Sequence, residues 1–144
     1  SKLYKRMVDK NKTALQVQAL NIGHEDYSMY AILSLPLGET SLEDLTKEIE
    51  EEIVKIQENL ISENDYEKLQ NKFENQFVNS NSSVSGIGVS LAQYFTLYGD
   101  TNLINSEIDI YRSISREEIR ETANKYLNTN QRLILEYLPE NDKK

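Results

Sequence analysis

Apolar and polar residues alternate through Thr13-Ala14-Leu15-Gln16-Val17-Gln18-Ala19-Leu20, which sets Leu15, Val17 and Ala19 on one face. A period of two is that of a half-buried strand. Asn21-Ile22-Gly23-His24-Glu25-Asp26 is rich in turn formers. A second, apolar and aromatic strand runs from 27 to 35 and is ended by Pro36 and Gly38. Two strands and one short loop predict an antiparallel hairpin. Ahead of it, Leu3, Tyr4, Met7 and Val8 stand at helical spacing, so residues 1 to about 11 read as a short helix.

After the hairpin the period changes to three and four. Thr40-Ser41-Leu42-Glu43 reads as a capping box, a hydroxyl followed three residues on by a carboxylate. Behind it Leu42, Leu45, Ile49, Ile53, Ile56 and Leu60 form one stripe, with Glu and Lys opposite. Ser62 caps a further helix, and Glu63 and Asp65 complement its dipole. The stripe there is Tyr66, Leu69, Phe73 and Phe77, continued by Val84, Ile87, Leu91, Tyr94 and Phe95. Polar Asn79-Ser80-Asn81-Ser82-Ser83 interrupts it, so the expectation is one long helix with a weak point or two helices with a kink. Gly99-Asp100 stops it. A short helix at about 103 to 111 follows. Ser115-Arg116-Glu117-Glu118 opens another, with Ile119, Ala123, Tyr126 and Leu127 inward. Arg132-Leu133-Ile134-Leu135-Glu136-Tyr137-Leu138-Pro139 reads as a final apolar strand. The fold class is therefore α+β, an antiparallel sheet with helices packed on one face. Residues 1–139 are expected to form one domain and 140–144 a disordered tail. Three strands are few for so many helices, and upstream strands would complete the sheet.

Length and charge narrow the function. A chain of 144 residues can bury a core. A net charge of −8 argues against a nucleic-acid partner and against an anionic membrane surface. With no cysteine there is neither a thiol nucleophile nor a thiolate metal site. No apolar run approaches the roughly 20 residues that span a bilayer. The basic start Ser1-Lys2-Leu3-Tyr4-Lys5-Arg6 is not followed by a signal-type apolar stretch. With no initiator Met and a helical pattern already under way, the sequence is expected to be a cut piece of a longer polypeptide.

Candidate chemistry is sparse. His24, the single histidine, lies between Gly23 and two carboxylates, Glu25 and Asp26. Consecutive turn residues point apart, so a solvated turn is the better reading than a metal site. Gly86-Ile87-Gly88 lacks the third glycine, the preceding strand and the Lys-Ser/Thr of a phosphate loop, and reads as close helix packing or a helix weak point. The acidic run 48–52 fits a solvated helix face. Tyr66, Tyr94 and Tyr126 fall on helix stripes, and Tyr27, Tyr30 and Tyr137 on strands that could line a cleft. Ser80, Ser82, Ser83 and Ser85 have no histidine base within reach by sequence.

Several pieces, in order, resemble insulinase/pitrilysin-type zinc metallopeptidases. Ser1-Lys2-Leu3-Tyr4-Lys5-Arg6-Met7-Val8 followed by Ala14-Leu15-Gln16-Val17-Gln18-Ala19 is similar to that family's S-R-L-x-x-x-L…A-x-S-V-x-A segment. Ser62-Glu63-Asn64-Asp65-Tyr66-Glu67-Lys68-Leu69 is similar to its T-x-x-E-L-x-x-A helix start. Tyr98-Gly99-Asp100 and the run from Ile114 to Pro139 resemble it too. The resemblance implies a ferredoxin-like, processing-peptidase-like half-domain, this chain being the later part of a C-terminal one. It implies no catalytic, cofactor or metal residue here. The family's zinc sits on an inverted H-x-x-E-H motif in an N-terminal half-domain, where the motif's Glu activates water. The substrate-orienting Arg and Tyr of some C-terminal halves align with Val8 and Leu15, which can neither donate a hydrogen bond nor carry charge.

The resemblance thus implies a non-catalytic portion of a zinc metalloendopeptidase subunit that walls a peptide-binding cleft, with a non-enzymatic scaffold or assembly subunit as the alternative. The implied partners are the N-terminal half-domain of the same protein, a second peptidase subunit and a peptide substrate. Leu15, Val17, Tyr30 and Ile32 on the hairpin are the candidate cleft or partner contacts. For a Gram-negative source the resemblance implies a periplasmic or cell-envelope setting.

Overall fold

The computed structural model describes residues 1–24 and 26–138. Helix α1 (Lys2–Tyr4) runs directly into a π-helical stretch, Lys5–Lys10. Strands β1 (Ala14–Gly23) and β2 (Ser28–Pro36) follow, then α2 (Leu42–Glu58), α3 (Glu63–Ser80), α4 (Val84–Tyr98), α5 (Leu103–Ser113), α6 (Arg116–Tyr126) and a 3-10 turn, Thr129–Gln131. The chain groups into two compact units: Ser1–Glu58 with the chain from Ala123 onward, and Asn59–Thr122.

In the first unit β1 and β2 pair antiparallel, from Ala14 opposite Pro36 to Gly23 opposite Ser28. The register slips between Ala14 and Gln16, so Leu15 is a bulge residue. One extra residue reverses the side-chain parity of the strand's start. Ala14 and Val17 thereby share the buried face, and Leu15 leaves it. The expected face of Leu15, Val17 and Ala19 is corrected accordingly. Met7, Ala14, Val17 and Leu45 form the core, with Leu3, Val8, Ile32, Leu42 and Ile49 packed around them. The α+β class holds: helices lie on one face of an antiparallel hairpin. Met7 is wholly buried. The π-turn is closed by Asn11 N–H to Arg6 O at 2.8 Å, and Thr13 N–H then bonds Met7 O at 2.9 Å. Lys12 between them takes φ +55°, rare for a residue with a Cβ.

Helix starts follow local polar chemistry, with one shift. In α2 the cap is Ser41 rather than Thr40: its Oγ accepts the Asp44 N–H at 3.0 Å and donates to Asp44 Oδ2 at 2.7 Å. Thr40 instead donates to Leu37 O. Ser62 caps α3 through the Asp65 N–H at 3.2 Å. At α6 the box is reciprocal, Ser115 N–H to Glu118 Oε2 at 2.7 Å and Glu118 N–H to Ser115 Oγ at 3.1 Å. The Ser115 N–H, then its hydroxyl, hold the Glu118 carboxyl below the usual carboxylate range. Gly99 ends α4 at φ +70°.

In the second unit α3 and α4 are separate helices. Ser83 caps α4 by accepting the Gly86 N–H at 3.0 Å. Phe73 stacks on Tyr111 with centroids 4.8 Å apart. Tyr66 donates to Ile114 O at 2.6 Å, and Arg112 pairs with Glu74 at 2.8 Å, tying α3 to α5 and the turn after it. Val84 and Phe95, placed on the inward stripe from sequence, are exposed; in the first unit Tyr126 is exposed too, its ring under Lys125 Nζ.

The final strand is corrected. Among the described residues the sheet has two strands, and residues 132–138 enter no ladder. A strand needs a neighbour's N–H and C=O groups, and among the described residues 132–138 runs along the outer edge of neither β1 nor β2. Arg132 is extended (φ −120°, ψ 152°) and its guanidinium meets Glu50 Oε1 at 2.5 Å, which anchors the segment's start to α2. Pro139 and the expected tail 140–144 lie outside the described residues.

Candidate functional site

The hairpin is the surface to which sequence directs attention. Its strands, residues 14–23 and 28–36, contain no charged residue, in a chain that is 28% charged. On the face toward α2 stand Val17, Ala19, Ile32 and Tyr30. On the opposite face stand Leu20, Ile22, Met29, Leu33 and Leu35, joined by Leu15 at the bulge. An antiparallel hairpin with one wet face shows polar residues on that face. This one carries polar Gln16 and Gln18 on the outer face, opposite Leu35 and Leu33, yet Leu15, Met29, Leu33 and Leu35 are exposed beside them.

The four candidate residues therefore divide. Val17 is 5% exposed and belongs to the core. Ile32, opposite Ala19, is half-buried against that core. Tyr30, opposite Asn21, lies on the same face further along but is 50% exposed, and the covered part of its ring pushes its phenol pKa up. Leu15 is 62% exposed on the other face. Sequence reasoning did not register the outer set around Leu33. The signal was there: the second strand is apolar at both parities. Val8 is half-buried against the core.

One polar cluster also went unread. The Arg6 guanidinium donates to Glu52 Oε1 at 2.8 Å and to Glu51, and its Nε lies 3.5 Å from Glu48 Oε2. Lys55 Nζ meets the same Glu52 oxygen at 2.5 Å, and Asn11 Nδ2 donates to Glu48 at 2.9 Å. Glu52 is only 7% exposed. Burial raises its pKa, but the Lys55 and Arg6 hydrogen bonds outweigh that and the net shift is down. The Arg6 hydrogen bond also lowers Glu51, and the Glu52 and Glu51 bonds raise Arg6. An open cavity of about 530 Å³ borders the cluster. Its carboxylates are held ionised by cations, which suits an interlock between the N-terminal helix and α2 and not a general base or nucleophile. Nothing local in sequence links Arg6 to glutamates 45 and 46 positions on.

In the second unit Glu107 accepts from Tyr94. Burial, followed by Glu107, raises the Tyr111 phenol. These groups join α4 to α5. His24 is exposed in the hairpin turn, its N–H bonded to Tyr27 O at 2.8 Å and its ring 4.7 Å from that of Tyr27. Among the described residues no group of three His, Cys, Asp or Glu is placed to hold a metal ion, so these residues do not fit a zinc site. Nor is any described helix long and apolar enough to cross a membrane.

By sequence, no family model and no curated protein matches the chain. Solved structures do. A protease from Helicobacter pylori matches with TM-score 0.83 at 21% identity, over 91% of this chain and 32% of its own. A candidate zinc protease from Bordetella pertussis Tohama I matches with TM-score 0.77 at 19% identity, over 96% of this chain and 76% of its own. The inactive peptidase domain of a candidate zinc protease from Bordetella parapertussis matches with TM-score 0.80 at 16% identity, over all of this chain and 78% of its own. The fold is that of these protease domains. This chain spans about a third of the Helicobacter protein, and more than three quarters of each Bordetella chain.

Proposed function

We propose that this chain is a non-catalytic, C-terminal portion of a zinc metalloendopeptidase subunit of the inverted-motif type, and that it forms one wall of a peptide-binding cleft. The observation that carries the reading is the protease fold running through 91% to 100% of the chain. Among the described residues no group of three His, Cys, Asp or Glu is placed to hold a metal ion, which is compatible with that reading. Zinc and its water-activating glutamate then belong to the N-terminal half-domain of the same protein, with a second peptidase subunit closing the cleft.

The chain's own contribution is physical. An uncharged, apolar hairpin face offers little to compete with an extended peptide for water. It excludes solvent and fixes the peptide's path, which favours hydrolysis at a metal held elsewhere through orientation and desolvation. That an inactive peptidase domain carries this fold supports the scaffold reading as the alternative.

A photo-crosslinking experiment tests the wall. A diazirine placed at Leu15 should capture an extended apolar peptide, and capture should be lost when the peptide is replaced by an acidic one. Equal capture of both, or of neither, would remove the hairpin from the cleft.

A further inference from the structure

We infer that α3 and α4 form a conformational switch, in which the broken pair interconverts with one continuous helix over residues 63–98 by rotation at the joint 81–83. The apolar stripe keeps its phase through the break. Phe77 and Val84 are seven positions apart, which is two helical turns. Tyr66, Leu69 and Phe73 before them and Ile87, Leu91 and Tyr94 after them hold the same face. The joint is short and part of it is nearly helical already. Asn81 stands at φ −101°, ψ 16°, while Ser83 is extended at φ −130°, ψ 156°. Turning the Ser83 ψ to about −42° brings that residue into the helix. The last carbonyls of α3 then receive the first N–H groups of α4. In the broken form side chains stand in for those bonds: Asn81 Nδ2 donates to Phe77 O, Ser82 Oγ donates to Asn79 O, and Ser83 Oγ accepts the Gly86 N–H. Asn81 Oδ1 is buried at the joint with no hydrogen-bond partner among the described residues, which burdens the broken form.

Three features hold the broken form. Ser83 caps α4, Tyr94 donates to Glu107 on α5, and position 86 is a glycine. These contacts are incompatible with a straight rod. A continuous helix would set the Cα atoms of Tyr66 and Tyr94 about 42 Å apart. Tyr66 is bonded to Ile114 O and Tyr94 to Glu107, and the rise between those two partners is only about 11 Å. The glycine distinguishes the two forms. In the broken form a Cβ at 86 would collide with the Ser80 carbonyl oxygen. In a continuous helix the carbonyl that receives the N–H of residue 86 is that of residue 82, and the carbonyl of 80 lies more than a turn away. A Cβ at 86 therefore fits the continuous helix and not the broken one. Straightening lifts α4, which has no charged residue from Val84 to Tyr98, off α5 and carries its aromatic end outward.

The inference does not rest on the proteolytic reading. Double electron–electron resonance on the 144-residue chain tests it, and the chain has no native cysteine to compete for the spin labels. Labels go on Glu67→Cys and Thr96→Cys, both at exposed positions. The continuous helix sets those Cα atoms about 44 Å apart, and the broken form gives a shorter, dominant distance. Gly86→Ala should raise the ratio of long to short about tenfold or more. Ser83→Ala, which removes the cap, should raise it about fivefold. Far-UV circular dichroism should show helicity held or increased in both. Gly88→Ala meets nothing and is helical in either form, so it should leave the ratio unchanged. Three results would overturn the switch: no population near 44 Å in any variant, a ratio indifferent to Gly86→Ala and Ser83→Ala, or an equal response to Gly88→Ala. Should Gly86→Ala fail to fold, Ser83→Ala decides alone.

Discussion

Two glycines in the first turns of α4 should respond to the same substitution with opposite signs. Alanine is a better helix former than glycine by about 0.8–1 kcal/mol. At Gly88 a Cβ would meet nothing within 4 Å, so Gly88→Ala should deliver that gain nearly in full. At Gly86 the Cβ would fall well inside contact distance of the Ser80 carbonyl oxygen and 3.2 Å from Ser83 Oγ. The first is backbone at the end of α3 and cannot swing aside. The second belongs to the hydroxyl that caps α4. Overpacking costs about 1–3 kcal/mol, and a disturbed cap about 1 kcal/mol more. Set against the propensity gain, Gly86→Ala should destabilise by about 1–3 kcal/mol, leaving the two variants about 2–4 kcal/mol apart. Urea titration followed by circular dichroism measures the difference. In a thermal melt each kcal/mol moves the midpoint by about 2–4 °C for a chain of this length. If Gly86→Ala stabilises as much as Gly88→Ala, the close approach of α3 and α4 at this turn is wrong.

Three further outcomes follow from the first unit. Met7→Ala removes the large side chain that alone is wholly buried among the described residues and should cost about 2–5 kcal/mol in urea titration, a large part of the stability of so small a core. Lys12→Gly relieves a side chain held at φ +55° and should raise the thermal midpoint, by up to about 1–2 kcal/mol in stability terms; a fall would show that Lys12 contributes through its side chain. Arg6→Ala should cost about 2 kcal/mol, because nearly buried Glu52 would keep only Lys55. It should also flatten the acid limb of the stability profile. Glu51 and Glu52 titrate lower when folded than when unfolded. Their contribution is thus present above about pH 4.3, the unfolded value, and is lost as pH falls through the folded values. Without Arg6 that loss should shrink.

How far sequence carried depended on distance along the chain. Ser62, the Ser115–Glu118 box and Gly99 act within three or four residues, and the structure places them as read. The start of α2 was misplaced by one residue because Thr40 and Ser41 both carry hydroxyls. Asp44, which bonds Ser41 both ways, selects between them. Side-chain faces were harder. A bulge is invisible to alternation, so Leu15 was put on the core face. The last apolar run has every intrinsic feature of a strand, yet a ladder is a property of two segments, and among the described residues this one lies along neither strand. The outer set around Leu33 is masked in sequence by Gln16 and Gln18, which give the outer face of β1 a polar pattern. The Arg6 cluster links positions more than 40 apart, with no local signature.

The central claim is that this chain shapes a peptide's surroundings and does no chemistry unaided. The most direct measurement is turnover of a quenched-fluorescent peptide by the 144-residue chain dialysed against zinc, with bound metal counted on the same sample. The account expects no stoichiometric zinc and no hydrolysis above buffer. One tightly held zinc per chain, with cleavage abolished by a chelator and by His24→Ala, would contradict it.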